Sequence, residues 1–246
     1  MQAQDDLEYR WEIGAGVGLM TYTGDFNDNI LTSASGAPEF SLILRRTFNP
    51  YSHLRIAASY GKIKGNAGDL ATYYPDYNNS WHKESARDTY SFNNTLIDLN
   101  GIYEYNFWPY GTGRDYRGAQ RLTPFIAIGF GFTYVNCNSF YDGSLNSTQL
   151  ENYMDLIGDP TTTSGNAFTV NMPIGVGVKY KVGDRTNLQL EWLCHFSASD
   201  KLDGVKDPYR IASAGIFKNT DCYSVIQASI TYSFGPKCKT CMNSDW

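Results

Sequence analysis

The sequence has no long apolar run and carries little charge. No stretch approaches the roughly 20 consecutive apolar residues that a membrane-spanning helix needs, which excludes a helical membrane protein. Charged residues make up only 18% of the 246 residues, below the roughly 25% that is usual for soluble domains. The formal net charge is −5, so no basic surface dominates and nucleic acid is not expected as a partner.

Histidine and cysteine are also scarce. The three histidines are His53, His82 and His195, and the five cysteines are an odd number. In an oxidising compartment an odd count leaves at least one cysteine unpaired or bonded to another chain. We assign no metal site and no cofactor.

The first residues, 1–8, have neither the charged n-region nor the apolar h-region of a signal peptide. The Ala3-Gln4 junction is typical of the stub left near a signal-peptidase site. We therefore expect an exported protein whose first eight residues form a periplasmic stub.

What the sequence does have is aromatic residues, 15% of the chain, and an apolar-polar alternation with period two. Such alternation is typical of strands with two different faces. It recurs in eight segments: 9–23, 39–48, 52–64, 92–108, 123–136, 167–182, 186–198 and 222–234.

The length and polar face of these segments favour a membrane barrel. A soluble sandwich also alternates, but its strands usually have about 5–6 residues; these have roughly ten to sixteen, enough to cross a membrane at a tilt. A lipocalin-like soluble barrel would turn its apolar face inward. Here the polar face is rich in glycine and carries charges that can pair inside a narrow lumen. Those charged residues are Arg10, Glu12, Arg45, Arg55, Asp98, Glu104, Lys179 and Glu191.

The connections between segments alternate between long and short, as in outer-membrane barrels with long outer loops and short periplasmic turns. Residues 24–38, 64–91, 137–166 and 198–221 are long and polar, whereas 49–51 and 183–185 are tight. The sequence thus predicts an all-β, eight-stranded antiparallel transmembrane barrel of OmpA-like size over 9–234. Both termini, including a tail over 235–246, are then periplasmic.

Aromatic residues cluster at the strand ends that this arrangement makes periplasmic, where they would form an interfacial belt. They are Trp11, Phe48, Tyr51, Phe107, Trp108, Tyr180, Tyr232 and Phe234.

An enzymatic alternative rests on His82, which lies near Ser80, Ser85, Asp76 and Asp88 in a long loop. These are the residue types of a Ser-His-Asp site, and barrels that modify lipids are known. No nucleophile motif surrounds them, so we assign no catalytic residue. His195 is expected to face the lumen beside Glu191 and to make a hydrogen bond there.

The cysteines leave several pairings open. Cys238 and Cys241 have C-x-x-C spacing, a weak zinc signal without a second pair or a nearby histidine. A small disulfide or a bond to another chain is the better interpretation. Cys137 and Cys222 fall near the outer strand ends and could form a loop staple, whereas Cys194 is expected to face lipid.

One predicted periplasmic connection, 108–122, is unusually long and basic. Because buried aromatic residues and arginines dominate interface energetics, we predict a partner-binding surface there. The lysines flanking the tail cysteines favour reactive thiolates, so we add the tail to this surface. Its residues are Trp108, Tyr110, Arg114, Arg117, Arg121, Cys238 and Cys241.

Segments spread over most of the chain resemble the PorG-type outer-membrane barrels of Bacteroidetes. They are EIGAGVG (12–18), YTGDF (22–26), NFWPYG (106–111), LTPFIAIGFG (122–131), PIGVGVKY (173–180), NLQLEW (187–192) and FSASDKLDGV (196–205).

The resemblance implies a non-enzymatic component of the type IX protein secretion system. Barrels of this type associate with a periplasmic ring built from a lipoprotein and its ring partner. As an outer-membrane barrel, the protein is also expected to contact lipid and lipopolysaccharide. No catalytic residues come with the family. The alternatives are a lipid-modifying barrel enzyme and a plain OmpA-like structural or adhesive barrel.

Overall fold

The strands close into a barrel in the computed structural model. The structure describes residues 9–23, 36–66, 90–110, 120–141, 166–198, 202 and 221–235. Its strands are β1 Trp11–Thr23, β2 Ala37–Asn49, β3 Ser52–Asn66, β4 Tyr90–Asn106, β5 Leu122–Asn136, β6 Ser139–Tyr141, β7 Asn166–Lys181, β8 Thr186–Ser197 and β9 Cys222–Phe234.

Eight of these strands are long, and each pairs antiparallel with two neighbours in the order β3-β2-β1-β9-β8-β7-β5-β4. Pairing between β3 and β4 closes the sheet. The first and last strands are joined in register from Trp11 opposite Phe234 to Thr23 opposite Cys222. The predicted eight-stranded barrel is therefore confirmed. The three-residue β6, which extends the sheet beside the start of β4, was not predicted.

The apolar face of the barrel points outward. Large apolar side chains on every long strand are exposed, with Leu42 and Phe168 at 68% and 69%. A soluble barrel would hide this face in its interior, so the wall is that of a membrane barrel. Across the described residues, no helix is long and apolar enough to span a membrane.

The polar face points inward, and its charged side chains are buried. Seven of the eight charged residues that the alternation assigned to the lumen are at most 2% exposed. Arg10 is the exception, because it precedes β1 and its side chain is exposed. Placing Arg10 in the lumen was therefore wrong.

Glycines on β1 make room for long polar side chains in the lumen. A Cβ on Gly16 would lie 2.6 Å from Ser41 Oγ and 2.7 Å from Gln227 Nε2. A Cβ on Gly18 would lie 2.9 Å from the Glu39 carboxylate. The nearest atom to a Cβ on Gly18 would be the backbone oxygen of Ile226, at 2.6 Å. A side chain at either position would therefore require its neighbours to shift, which favours glycine on this face.

The two ends of the barrel differ, as the connection lengths predict. At one end, which we call the turn end, β2 and β3 are joined through Pro50 and Tyr51, and β7 and β8 through 182–185. The Asn49 side chain accepts a hydrogen bond from the Tyr51 backbone N–H at 2.9 Å, which fixes the first turn. At the opposite end, the loop end, the connections are longer. The exception at the turn end is 107–121, between β4 and β5.

Replacing Val176, which faces outward on β7, by arginine should reduce the free energy of unfolding by about 2–4 kcal/mol, because a charge would face the hydrocarbon. Chemical denaturation of the barrel in lipid vesicles measures this. Asn166→Arg is the matched control: it lies outward on the same strand at the loop end and should cost roughly 0–1 kcal/mol. Equal stability of Val176→Arg and the wild type would contradict the outward assignment.

Candidate functional site

An ionic network fills the turn-end half of the lumen, and Glu104 lies at its centre. The Glu104 carboxylate contacts Arg45 Nε at 2.9 Å, Arg55 Nε at 3.0 Å and Lys179 Nζ at 2.7 Å. All four side chains are at most 1% exposed. One carboxylate therefore joins cations from three different strands in a buried environment.

Two further carboxylates complete the network. Arg45 Nη1 also donates to Glu12 Oε2 at 2.7 Å, and Arg55 makes a two-pronged contact with Glu191 at 2.5 and 2.7 Å. Arg45 additionally donates to the Gln189 side chain. Three carboxylates thus balance three cations. Their side chains come from β1, β2, β3, β4, β7 and β8, so the network links six of the eight long strands across the lumen.

Neutral side chains extend this network towards the turn end. Lys179 donates to Asn106 Oδ1 at 3.0 Å, which orients the amide so that its nitrogen faces His53 Nε2 at 2.7 Å. The other ring nitrogen of His53 contacts Thr47 Oγ1 at 2.9 Å. Both ring nitrogens of His53 therefore have a hydrogen-bonding partner, and the side chain fills part of the lumen.

His195 also lies in the lumen, nearer the loop end. Its Nδ1 contacts Asn171 Oδ1 at 3.4 Å, and its ring stacks on Tyr223 with centroids 4.5 Å apart. The predicted lumen position and hydrogen bond of His195 are confirmed, with Asn171 rather than Glu191 as the partner. His82 and its loop lie outside the described residues. Among those described, no group of three or more histidine, cysteine or acidic side chains could hold a metal ion.

Apolar side chains lie among the polar ones in the loop-end part of the lumen, which the alternation did not predict. Buried side chains there include Met20, Ile63 and Leu96, all at 0% exposure. Leu202, from the connection between β8 and β9, is buried with them. Asn94 Nδ2 donates to the Leu202 carbonyl at 2.6 Å, and the Leu202 N–H donates to Asp221 at 2.9 Å.

The first residues of the long turn-end connection cover the lumen at the other end. The Tyr110 N–H donates to the Pro50 carbonyl at 3.0 Å, and the Tyr110 hydroxyl donates to Asn187 Oδ1 at 2.8 Å. Burial raises the pKa of the Tyr110 hydroxyl, which therefore stays protonated and keeps donating. The segment thus bridges the β2–β3 turn and β8 across the opening.

The predicted partner surface is only partly brought together. Trp108 and Arg121 are exposed at the turn end, as a contact surface requires. Tyr110 is buried at 1% exposure, so its side chain is part of the lumen cover and cannot serve as a surface anchor. Arg114, Arg117, Cys238 and Cys241 lie outside the described residues.

The described cysteines form no disulfide with one another. Cys137 and Cys222 are both thiols, so the possible staple between them is not formed, and Cys222 Sγ lies 3.3 Å from the Thr23 carbonyl oxygen. Cys194 lies on the outer face, as expected, in an apolar groove of about 560 Å³ beside Trp192 and Phe196.

Two turn-end arginines were missed by the sequence interpretation. Arg46 points outward from β2 and Arg185 lies in the tight turn before β8. A signal for Arg46 was present, because two consecutive arginines in an alternating strand must point to opposite faces. Once Arg45 was assigned to the lumen, Arg46 had to lie on the outer wall.

A family model described as a domain of unknown function (DUF6089) matches residues 3–243. The chain belongs to this family. No curated protein matches the DUF6089 chain.

The DUF6089 chain is similar to solved outer-membrane proteins. Neisserial surface protein A is 12% identical with a TM-score of 0.47, covering 91% of this chain and 97% of that one. A major outer membrane protein of Thermus thermophilus is 11% identical with a TM-score of 0.45, covering 91% and 99%. Ail, the attachment invasion locus protein of Yersinia pestis, is 10% identical with a TM-score of 0.43, covering 92% and 100%.

Replacing Glu104 by glutamine should reduce the free energy of unfolding by about 3–5 kcal/mol, because three buried cations would lose a shared carboxylate. Denaturation in lipid vesicles measures the change. Glu39→Gln is the matched control, since Glu39 is equally buried but forms no ion pair among the described residues. Similar losses for the two variants would contradict a central role for Glu104.

The filled lumen also predicts that the protein conducts no ions at the scale of a porin. Planar-bilayer recordings of the purified full chain should show no stable, porin-sized steps, because side chains occupy the interior. Glu104→Gln should remain closed as well, since glutamine fills the same volume. Stable large steps from the wild type would contradict the filled lumen.

Proposed function

We propose that this DUF6089 protein is a non-catalytic outer-membrane anchor that holds a periplasmic assembly at the membrane through its turn end. The specific assembly that we propose is the periplasmic ring of the type IX secretion system, formed by a lipoprotein and its ring partner. The turn end would then face the periplasm, together with both termini.

The observation that carries the proposal is the closed lumen. The ionic network around Glu104 occupies the turn-end half, buried polar and apolar side chains occupy the loop-end half, and Tyr110 and Leu202 cover the two ends. A barrel filled in this way offers no path for a secreted protein along its axis. Its function is then expected at the rims.

Of the two rims, the turn end favours a protein partner. Short turns suffice to join strands at this end of a membrane barrel, yet 107–121 is long and presents Trp108 to solvent. The backbone of Trp108 is fixed, because its N–H donates to Thr123 Oγ1 and its carbonyl accepts from the same hydroxyl, both at 3.1 Å. An exposed tryptophan on a fixed backbone is a typical interface anchor.

The identity of the partner rests on the sequence resemblance to PorG-type barrels. Two of the resembling segments, 106–111 and 196–205, contain the residues that cover the lumen, Tyr110 and Leu202. The resemblance therefore includes the two residues that close the ends of this barrel. Closing the lumen does not itself identify a partner.

The test is co-purification from outer membranes of cells that carry the tagged protein. We expect the ring lipoprotein to be recovered with the wild type and to be reduced about tenfold or more with Trp108→Ala/Arg117→Ala, because both changes remove anchor groups at the turn end. Cys238→Ser/Cys241→Ser tests the tail separately, and a non-reducing gel shows whether a bond to another chain exists.

Tyr60→Ala/Lys64→Ala is the matched control, since it removes an exposed aromatic and a basic side chain at the loop end of β3. It should recover the lipoprotein as the wild type does. Full recovery by Trp108→Ala/Arg117→Ala would remove the 107–121 connection from the interface. Absence of any ring component from the wild-type preparation would overturn the anchor function and favour a plain structural barrel.

A further inference from the structure

An arginine lies on the lipid-facing wall at the turn end, held between two aromatic rings. Arg46 is opposite Trp11 in the pairing of β1 and β2 and points outward. Its guanidinium carbon lies 5.4 Å from the ring centre of Trp11 and 5.5 Å from that of Phe48. Both distances are within the range of cation–π attraction, so the two rings orient the Arg46 side chain.

A second arginine is held in a similar way. The Arg185 guanidinium lies 4.6 Å from the ring centre of Tyr9. It also donates to the Tyr9 hydroxyl at 2.6 Å and to the Tyr232 hydroxyl at 3.2 Å. The tyrosines therefore fix its position at the start of β8.

The two arginines belong to one continuous part of the rim. β2, β1, β9 and β8 are consecutive neighbours in the barrel wall. Trp11 on β1 is opposite both Arg46 on β2 and Phe234 on β9, and Tyr232 on β9 is opposite Thr186, next to Arg185. We call these side chains the basic arc, comprising Tyr9, Trp11, Arg46, Phe48, Arg185, Tyr232 and Phe234.

The basic arc lacks an anionic partner among the described residues. Neither Arg46 nor Arg185 forms an ion pair there, and even the adjacent Asp184 is not paired with Arg185. The carboxylates of the lumen network, Glu12, Glu104 and Glu191, are engaged with Arg45, Arg55 and Lys179 on the inner face. The charge of the arc is therefore available for an acceptor from outside the chain.

The position of the arc indicates what that acceptor is. It lies where the apolar outer wall ends, and its aromatic rings, apart from the buried Tyr9, are those of the predicted interfacial belt. At that level a membrane presents the phosphate groups of its lipids. A planar guanidinium matches a phosphate with two parallel hydrogen bonds. We propose that the basic arc is a binding site for the phosphate headgroup of an anionic phospholipid in the leaflet at the turn end.

This inference does not depend on the ring partner, because it concerns only the outer wall. Native mass spectrometry of the full chain, released from micelles doped with phosphatidylglycerol, tests it. We expect the wild type to retain the lipid and Arg46→Gln/Arg185→Gln to bind it about tenfold more weakly, since two charge-assisted contacts are lost. Lys62→Gln/Lys64→Gln is the matched control, removing two outward charges from β3 at the loop end.

Equal lipid retention by the wild type and Arg46→Gln/Arg185→Gln would overturn the proposal. So would a control, Lys62→Gln/Lys64→Gln, that loses as much bound lipid as the arginine variant does. A second measurement needs only the wild type: diacylglycerol with the same acyl chains but no phosphate should not be retained. Retention of diacylglycerol as strong as that of phosphatidylglycerol would show that the acyl chains, not the headgroup, are bound. If the arginine variant retained the lipid but no longer co-purified a protein from outer membranes, the arc would be a protein contact instead.

Discussion

The buried carboxylate of Glu104 sets the constraint on which the rest of this barrel depends. Arg45, Arg55 and Lys179 converge on it from three strands, and none of these charges is tolerable in a narrow lumen without its partners. Any shift of the β2, β3, β4 or β7 register would separate them. The same few side chains therefore stabilise the strand register of the wall and fill the interior of the barrel.

A filled interior moves the function to the rims and the outer wall. The covers formed by Tyr110 and Leu202 lie at opposite ends of the lumen and are both held by hydrogen bonds. Side chains accessible at the turn end include Trp108 and the two aromatic-bound arginines, Arg46 and Arg185. At this end we propose that the 107–121 connection binds a protein partner and that the basic arc binds lipid phosphate.

The sequence predicts the architecture well because period two is a local property of each strand. Inward and outward positions of residues such as Glu104 and Val176 follow from it directly. Which inward charges meet does not, because partners across the lumen are set by the stagger of strands distant in sequence. Tyr110 was misjudged for a similar reason: its burial depends on Pro50 and Asn187, which alternation within one segment cannot reveal. Inward apolar residues near the loop end, such as Met20 and Ile63, were missed because alternation identifies the inner face by its polarity, and Leu202 was missed because it lies in a connection rather than a strand.

The central claim is that a closed barrel presents its turn end to a periplasmic protein, and site-specific photo-crosslinking in living cells tests it most directly. A photoreactive residue replacing Trp108 should form a cross-link to the ring lipoprotein, whereas one replacing Phe168 on the outer wall of β7 should not. Cross-links from position 108 to lipid alone, or lipoprotein cross-links only from position 168, would contradict the account.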